Sequence, residues 1–235
     1  MLAARCQESE LMDDPALDAP RHHEALRGLA RINRWSRSAQ IVWPPIWDLA
    51  KRTPGRTLRV LDVATGAGDV PVALWRIARR HRIPLELHAC DRSPQAVDFS
   101  THRAARAGAP IRWFQFDAFQ EDWPAGYDVV MHSLFLHHLS DEQAPIMLQR
   151  MGRSAAHLVL VNDLVRSVSG LVLATVATRV LTPSGVVHTD ARRSVRAAYT
   201  APEAAALAAR AGLHQARVVR RWPCRFLLTW ERPAR

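Results

Sequence analysis

Long apolar runs, paired cysteines and metal-type cysteine spacing are all missing from this chain of 235 residues. No window holds roughly 18 uncharged apolar residues in succession, which excludes an ordinary membrane-spanning helix. The N-terminal stretch carries Arg5, Glu8, Glu10, Asp13 and Asp14 and lacks the basic-then-apolar order of a secretory signal. The expected compartment is therefore the cytoplasm. Three cysteines, Cys6, Cys90 and Cys224, are odd in number and far apart, with no CxxC or Cys/His spacing. Reduced thiols and no metal are the expectation.

What is present reads as ordinary globular material, 48% hydrophobic and 23% charged, enough for one sizeable α/β domain with a packed core. The net charge of +10 comes almost wholly from arginine, scattered along the chain and not gathered into a block. A solvated basic surface explains that pattern. An acidic partner such as RNA, a carrier protein or an anionic membrane face is the other reading.

Organisation follows from periodicity and punctuation. Residues 1–20 are polar, with Pro15 and Pro20, and read as a loosely held arm with one short helix around "ESELMDD". From His22 to Lys51 apolar positions recur at helical spacing, interrupted by Pro44-Pro45, so two lid helices precede the main fold. After "TPGRT" come a buried-strand candidate "LRVLDV", a glycine loop and a helix from about Asp69 to Arg80. "LELHACD", "IRWFQFD", "YDVVMHS" and "HLVLVND" are further strands, separated by helices "SPQAVDFSTHRAARAG" and "DEQAPIMLQRM". Alternation of this kind implies parallel βαβ units. A helix at about 168–181, a loop "TPSGVVHTDARRS", the capped helix "TAPEAAALAARAG" and an antiparallel pair "HQARVVRRW"/"RFLLTWE" complete the chain. The expectation is a Rossmann-like, doubly wound, seven-stranded α/β sheet with a terminal antiparallel pair. Residues 1–54 form the arm and lid, and residues 55–235 the main domain, with an insertion at about 164–199.

The stretch "LDVATGAGDVPVAL" carries the chemistry of the first strand tip. Ligands of open parallel sheets bind beyond the carboxyl ends of strands. A dinucleotide fingerprint would need a third glycine where Pro71 stands, and no GK[ST] follows for a P-loop. S-adenosylmethionine, which has no phosphate, suits the residues instead. Asp62 at the end of the first strand supports its ammonium side. Asp91 at the end of the second accepts the ribose hydroxyls, and Asp117 after the third accepts from the adenine amino group, with Phe116 or Phe119 for stacking.

"LDVATGAGD", "CDRS", "FDAF", "YDVVMHSLFLHHLSD" and "RAAYTAPE…AGL" resemble the class I S-adenosylmethionine-dependent methyltransferases, nearest the branch acting on quinols and small phenolic metabolites. The resemblance covers about residues 55–230. It departs at Ala64, where the family usually has glycine. The resemblance implies that Asp62, Ala64, Gly66 and Gly68 line the methionine end of the cofactor. It implies Asp91 and Arg92 at the ribose, Asp117 and Ala118 at adenine, and Ser133 beneath the sulfonium. "RINRWSRS" is similar to that branch's helical lid, which nominates Asn33 over the cofactor.

Methyl transfer from a sulfonium needs an aligned nucleophile and, for a phenol, help in removing its proton. Histidines at the cofactor rim are the first suspects. His137 and His138 follow the fourth strand, and either catalysis or helix capping accounts for them. His188 and Asp190, two residues apart in the "VVHTDARRS" loop with Arg192 and Arg193, read as an oriented base or as an exposed capping loop. Asn162, Asp163 and Arg166 share the rim. His22-His23, His81, His102 and His157 read as surface.

The function these readings favour is methylation of a small hydroxylated, largely apolar metabolite: a phenol, quinol or aromatic polyketide, with oxygen as acceptor. A nucleic-acid methyltransferase is the alternative, disfavoured because the fourth strand ends "MHSL" and not in the [DN]PP[YFW] motif that holds a flipped base. A non-catalytic cofactor-binding subunit is the third. Peripheral membrane contact is compatible with the basic surface, and a monomer or a homodimer with the length.

Overall fold

The computed structural model describes residues 2, 4–13 and 16–233. The parts of the expected arm and of its short helix that fall on residues 1, 3, 14 and 15 lie outside that description. Seven strands form one sheet: β1 (Leu58–Val63), β2 (Leu85–Asp91), β3 (Ile111–Gln115), β4 (Tyr127–Ser133), β5 (Ala155–Leu164), β6 (Arg217–Arg221) and β7 (Arg225–Glu231). Their order is β3-β2-β1-β4-β5-β7-β6, with β7 antiparallel to both neighbours. The order reverses between β1 and β4, which opens a crevice above the β1 tip.

Eight helices accompany the sheet among the described residues: α1 (Ala19–Trp35), α2 (Ser38–Arg52), α3 (Asp69–Arg80), α4 (Pro94–Ala107), α5 (Gln143–Ser154), α6 (Val168–Leu181), α7 (Gly185–Ala197) and α8 (Ala201–Arg210). Period-two patterning sends successive strand residues to opposite faces. Leu58 and Val60 of β1 join Leu158 and Leu160 of β5 in the core shared with α2, α3 and α4. Leu61, Val63, Val159 and Val161 join the opposite core with α5 and α8. The remaining helices, α1, α6 and α7, pack on one another over the carboxyl ends of the strands.

Several expectations are revised. The break in the lid lies at Ser36-Arg37, where Arg37 is left-handed, and Pro44-Pro45 sit inside α2. Pro44 lacks the N–H that would bond the Gln40 carbonyl, and both residues are exposed, which leaves that carbonyl open to solvent. Among the described residues of "ESELMDD", Leu11–Asp13 form a 3-10 turn. The described arm is not loose: Cys6 N–H donates to the Arg196 carbonyl, and Arg5 donates to the carbonyls of Ala197, His137 and Leu139. The expected loop at 182–194 is mostly helix α7, which begins after Ser184 without a side-chain cap. His22, read as surface, is buried in α1.

Candidate active site

Asp62 lies one residue before the end of β1 and is buried. Thr65 donates to its Oδ2 at 2.7 Å, and its Oδ1 has no partner among the described residues. Burial, together with the nearby carboxylates of Asp69 and Asp91, pushes its pKa up to about 7. Burial likewise raises Asp69, in the first turn of α3, to about 6. Asp62 thus holds its proton up to about neutral pH and keeps one bare acceptor, so an incoming cation would ionise it, with Asp69 ionising at lower pH beside it.

Above Asp62 the loop turns on residues with positive φ: Ala64 (54°), Gly66 (54°) and Gly68 (66°). Ala64 bears the strain of a Cβ in the left-handed region, which is why glycine suits that place. Gly66 donates its N–H to Asp91 Oδ2 at 2.8 Å, while Ser93 N–H donates to Oδ1 at 3.0 Å. The tip of β2 is thereby tied to the loop after β1. Gly68 faces away from the cavity. A Cβ there would stand 2.5 Å from Ser100 Cβ and 2.7 Å from the Trp113 ring, so its role is close packing of the loop on α4 and β3.

Asn33 of α1 reaches over this loop. Its Nδ2 donates to Asp69 Oδ1 at 3.4 Å, and its Oδ1 accepts from Ser38 at 3.3 Å and from Arg225 Nη2 at 3.3 Å. Arg225, at the start of β7, is buried, and burial lowers its pKa to about 10. Ser133, at the end of β4, accepts from Asn162 Nδ2 at 3.5 Å. Arg92 is exposed, and its carbonyl accepts from Gln115. The carboxylate of Asp117 accepts the Phe119 N–H at 2.8 Å, and the Ala118 carbonyl accepts from Trp123 and Arg150.

A cavity of about 170 Å³ runs from Ala64, Gly66 and Ser133 to an apolar wall of Ile32, Leu173 and Ala177, with Glu10, His137 and His138 at its side. Asn33, Asp69 and Arg225 border it, whereas Asp62, Gly68, Asp91, Arg92, Asp117 and Ala118 do not. His137 sits in a 3-10 turn (Leu136–His138) and is buried. Its Nδ1–H donates to Asp163 Oδ1 at 2.7 Å, and its backbone N–H donates to Asp163 Oδ2 at 3.2 Å. Glu10 lies 3.6 Å from His137 Nε2 and 3.7 Å from His138 Nε2. Burial works against charge on His137, Glu10 and Asp163, but mutual pairing wins. His137 is pushed up to about 10 by Asp163 and Glu10, while Glu10 and Asp163 are each held down to about 2. Ser194 Oγ of α7 also donates to Glu10.

His188 and Asp190 do not form the expected pair. Residues two apart on a helix point to different sides, and here His188 Nε2 donates to the Thr182 carbonyl at 2.8 Å. Asp190 accepts the N–H groups of Leu11 and Met12 at 2.8 and 3.0 Å, so it anchors the arm. Neither lines the cavity. Arg166 is tied bidentately to Glu203 at 2.6 and 2.9 Å, Arg193 pairs with Glu8, and Arg192 is exposed.

The sequence reading missed Glu10 and Arg225. Glu10 lay in a polar arm with no pattern, and Arg225 opened a strand as an unremarkable charge. Four acidic residues near Glu10 hid which one would turn inward; the only available signal was the neighbouring Leu11 and Met12, an apolar pair in a polar arm.

Residues 60–157 match the family described as "Methyltransferase domain". Among solved structures, the S-adenosylmethionine-dependent methyltransferase SibL, in its apo form, is 22% identical over 97% of this chain and 64% of its own, with a TM-score of 0.67. Magnesium protoporphyrin IX methyltransferase from Synechocystis PCC 6803, with bound S-adenosylmethionine, is 16% identical over 94% of this chain and 100% of its own, with a TM-score of 0.58. An O-methyltransferase family 2 protein from Planctomyces limnophilus, in complex with apigenin, is 17% identical over 94% of this chain and 63% of its own, with a TM-score of 0.59. The chain thus spans slightly under two thirds of SibL and of the apigenin-bound enzyme.

Proposed function

We propose that this chain, whose residues 60–157 are a methyltransferase domain, uses S-adenosylmethionine to methylate a hydroxyl group of a small, largely apolar metabolite: a phenol, quinol or aromatic polyketide. The observation that carries the reading is the continuity of one cavity, from the glycine loop and Ser133 to the histidine pair and the apolar face of α6. The bare Oδ1 of buried Asp62 fits a cofactor ammonium, and Gly66 leaves room for the methionine backbone, with nothing within 4 Å of where a Cβ would stand. Asn33 closes over that end. In this reading Asp91 exchanges its bond from Gly66 for ribose hydroxyls, Arg92 flanks the ribose, and Asp117 and Ala118 take the adenine edge.

At the other end, the donor's sulfonium is an excellent leaving group, so alignment and deprotonation are what the protein supplies. Apolar walls exclude water, and His138, with His137 oriented by Asp163, faces the acceptor oxygen. His137 is itself clamped between Asp163 and Glu10. It therefore sets charge and orientation, and His138 is the nearer partner for the departing proton. The relatives support the acceptor class: NcsB1, an O-methyltransferase from neocarzinostatin biosynthesis, was crystallised with 1,4-dihydroxy-2-naphthoic acid, and the Planctomyces enzyme with apigenin.

The test is incubation of the protein with methyl-labelled cofactor and a panel of phenols, quinols and polyketides, read by mass spectrometry. One or more labelled O-methyl products are expected. Absence of product across the panel, with labelled RNA appearing instead, would reverse the reading.

A further inference from the structure

The geometry points to a binding site for a divalent transition ion of the zinc type, held by Glu10, His137 and His138 at the acceptor side of the cavity. Three donor atoms, two imidazole nitrogens and one carboxylate oxygen, lie within 4.8 Å of one another. The carboxylate-to-imidazole separations of 3.6 and 3.7 Å are long for charged hydrogen bonds. They are close to the edge of a tetrahedron whose ligands stand about 2.0–2.1 Å from a central zinc. A small inward movement brings all three onto one ion.

The surroundings of these donors are those of a metal site. Histidine ligands to metals almost always give their other ring N–H to a carboxylate or carbonyl, and carboxylate ligands are hydrogen-bonded in turn. His137 gives its Nδ1–H to buried Asp163 at 2.7 Å, which leaves Nε2 as the coordinating atom. Glu10 is held by Ser194 Oγ. Backbone bonds fix both supports: Leu11 and Met12, next to Glu10, are tied to Asp190, and the His137 N–H to Asp163. Three protein ligands of the His₂Glu type leave one position of a zinc ion open, as catalytic sites do. All three border the cavity, so the open position faces it. The absence of Cys/His spacing, which argued against metal in the sequence, is blind to a set assembled from the arm and the β4 end.

The ion site stands on this geometry alone; its use rests on the methyl-transfer reading above. With the ion bound, its ligand His138 no longer takes the proton, and an acceptor hydroxyl on the open position loses it to solvent more readily. Its oxygen lone pair then forms the O–CH₃ bond while the S–CH₃ bond breaks, and that bond's electron pair returns to sulfur as the thioether.

The experiment takes the full chain, stripped with chelator, and titrates it with zinc chloride by calorimetry and with cobalt chloride by visible absorption, alongside binding of S-adenosylhomocysteine. One equivalent of zinc is expected, with tetrahedral cobalt bands. Glu10→Gln and His138→Ala should each weaken zinc binding at least about 100-fold, and Asp163→Asn by about 10- to 100-fold, with S-adenosylhomocysteine affinity unchanged as the check on folding. Zinc binding that is absent, or that survives in both Glu10→Gln and His138→Ala, overturns the site. Loss of S-adenosylhomocysteine binding in the unaltered chain, with zinc binding intact, would instead sink the methyl-transfer reading and leave the ion site standing.

Discussion

At the tips of β1 and β2 the polar groups come from short local segments: Asp62 and Thr65 are three residues apart, and Gly66 meets Asp91 across one βα unit of 25 residues. At the other end of the cavity, Ser194 meets Glu10 across 184 residues and His137 meets Asp163 across 26. At the first end both acids titrate later than an ordinary carboxylate, Asp62 at about 7 and Asp69 at about 6. The second is fully ion-paired, with Glu10 and Asp163 at about 2 and His137 at about 10. A site with a vacancy for a cationic cofactor is thus set beside one whose ionised groups pair with one another in the free protein. The comparison teaches that one end is prepared for a positively charged cofactor and the other for orienting a neutral acceptor.

Substitutions should separate the two ends, beginning with the largest effect. His138→Ala should lower turnover about 1,000-fold, in the range of one general acid–base contribution, while the dissociation constant of S-adenosylhomocysteine stays unchanged; steady-state kinetics and calorimetry together check it. Gly68→Ala should cost about 3 kcal/mol of stability, because a left-handed Cβ is forced against Ser100 and Trp113. Thermal unfolding reads that loss.

Asp62→Asn should weaken cofactor binding by about 30-fold, the worth of one charge-assisted bond, and yet raise the melting temperature of the free protein. Its sign follows from linkage. Folded Asp62 keeps its proton to about 7, so this group's contribution to stability is greatest in acid and declines as pH rises from the ordinary carboxylate range to about 7. Cofactor affinity runs the opposite way in the unaltered protein, strengthening up to about tenfold per pH unit below 7 as the proton is displaced, and the slope should vanish in Asp62→Asn. Smallest of all, His188→Ala should change turnover by less than about twofold and stability by about 1 kcal/mol, the worth of one hydrogen bond to the Thr182 carbonyl. A large loss of turnover there would break the comparison.

The cofactor end was legible in the sequence because a parallel sheet places successive strand ends along one edge. Asp62, Asp91 and Asp117 could therefore be located by finding where each apolar run stopped. Gly68 was noticed for the right shape and given the wrong reason: its neighbours, Ser100 and Trp113, belong to later elements that local pattern does not bring close. The acceptor end was legible in its histidine pair and in Asp163, which the end of the fifth apolar run placed on the same rim. "VVHTDARRS" offered loop-like polarity, yet the buried Val186, Val187, Asp190 and Ser194 follow helical spacing once the arm and α6 cover them. Glu10 and Arg225 gained their roles from contacts made across almost the whole chain, which no local period encodes.

The most direct test of the central claim is a crystal structure of the chain with S-adenosylhomocysteine. The account predicts its ammonium at Asp62 Oδ1, its ribose at Asp91, and its sulfur beside Ser133 with the open side turned toward His138. The nucleoside lodged against α6 and α7, or its sulfur turned away from the histidines, would contradict it.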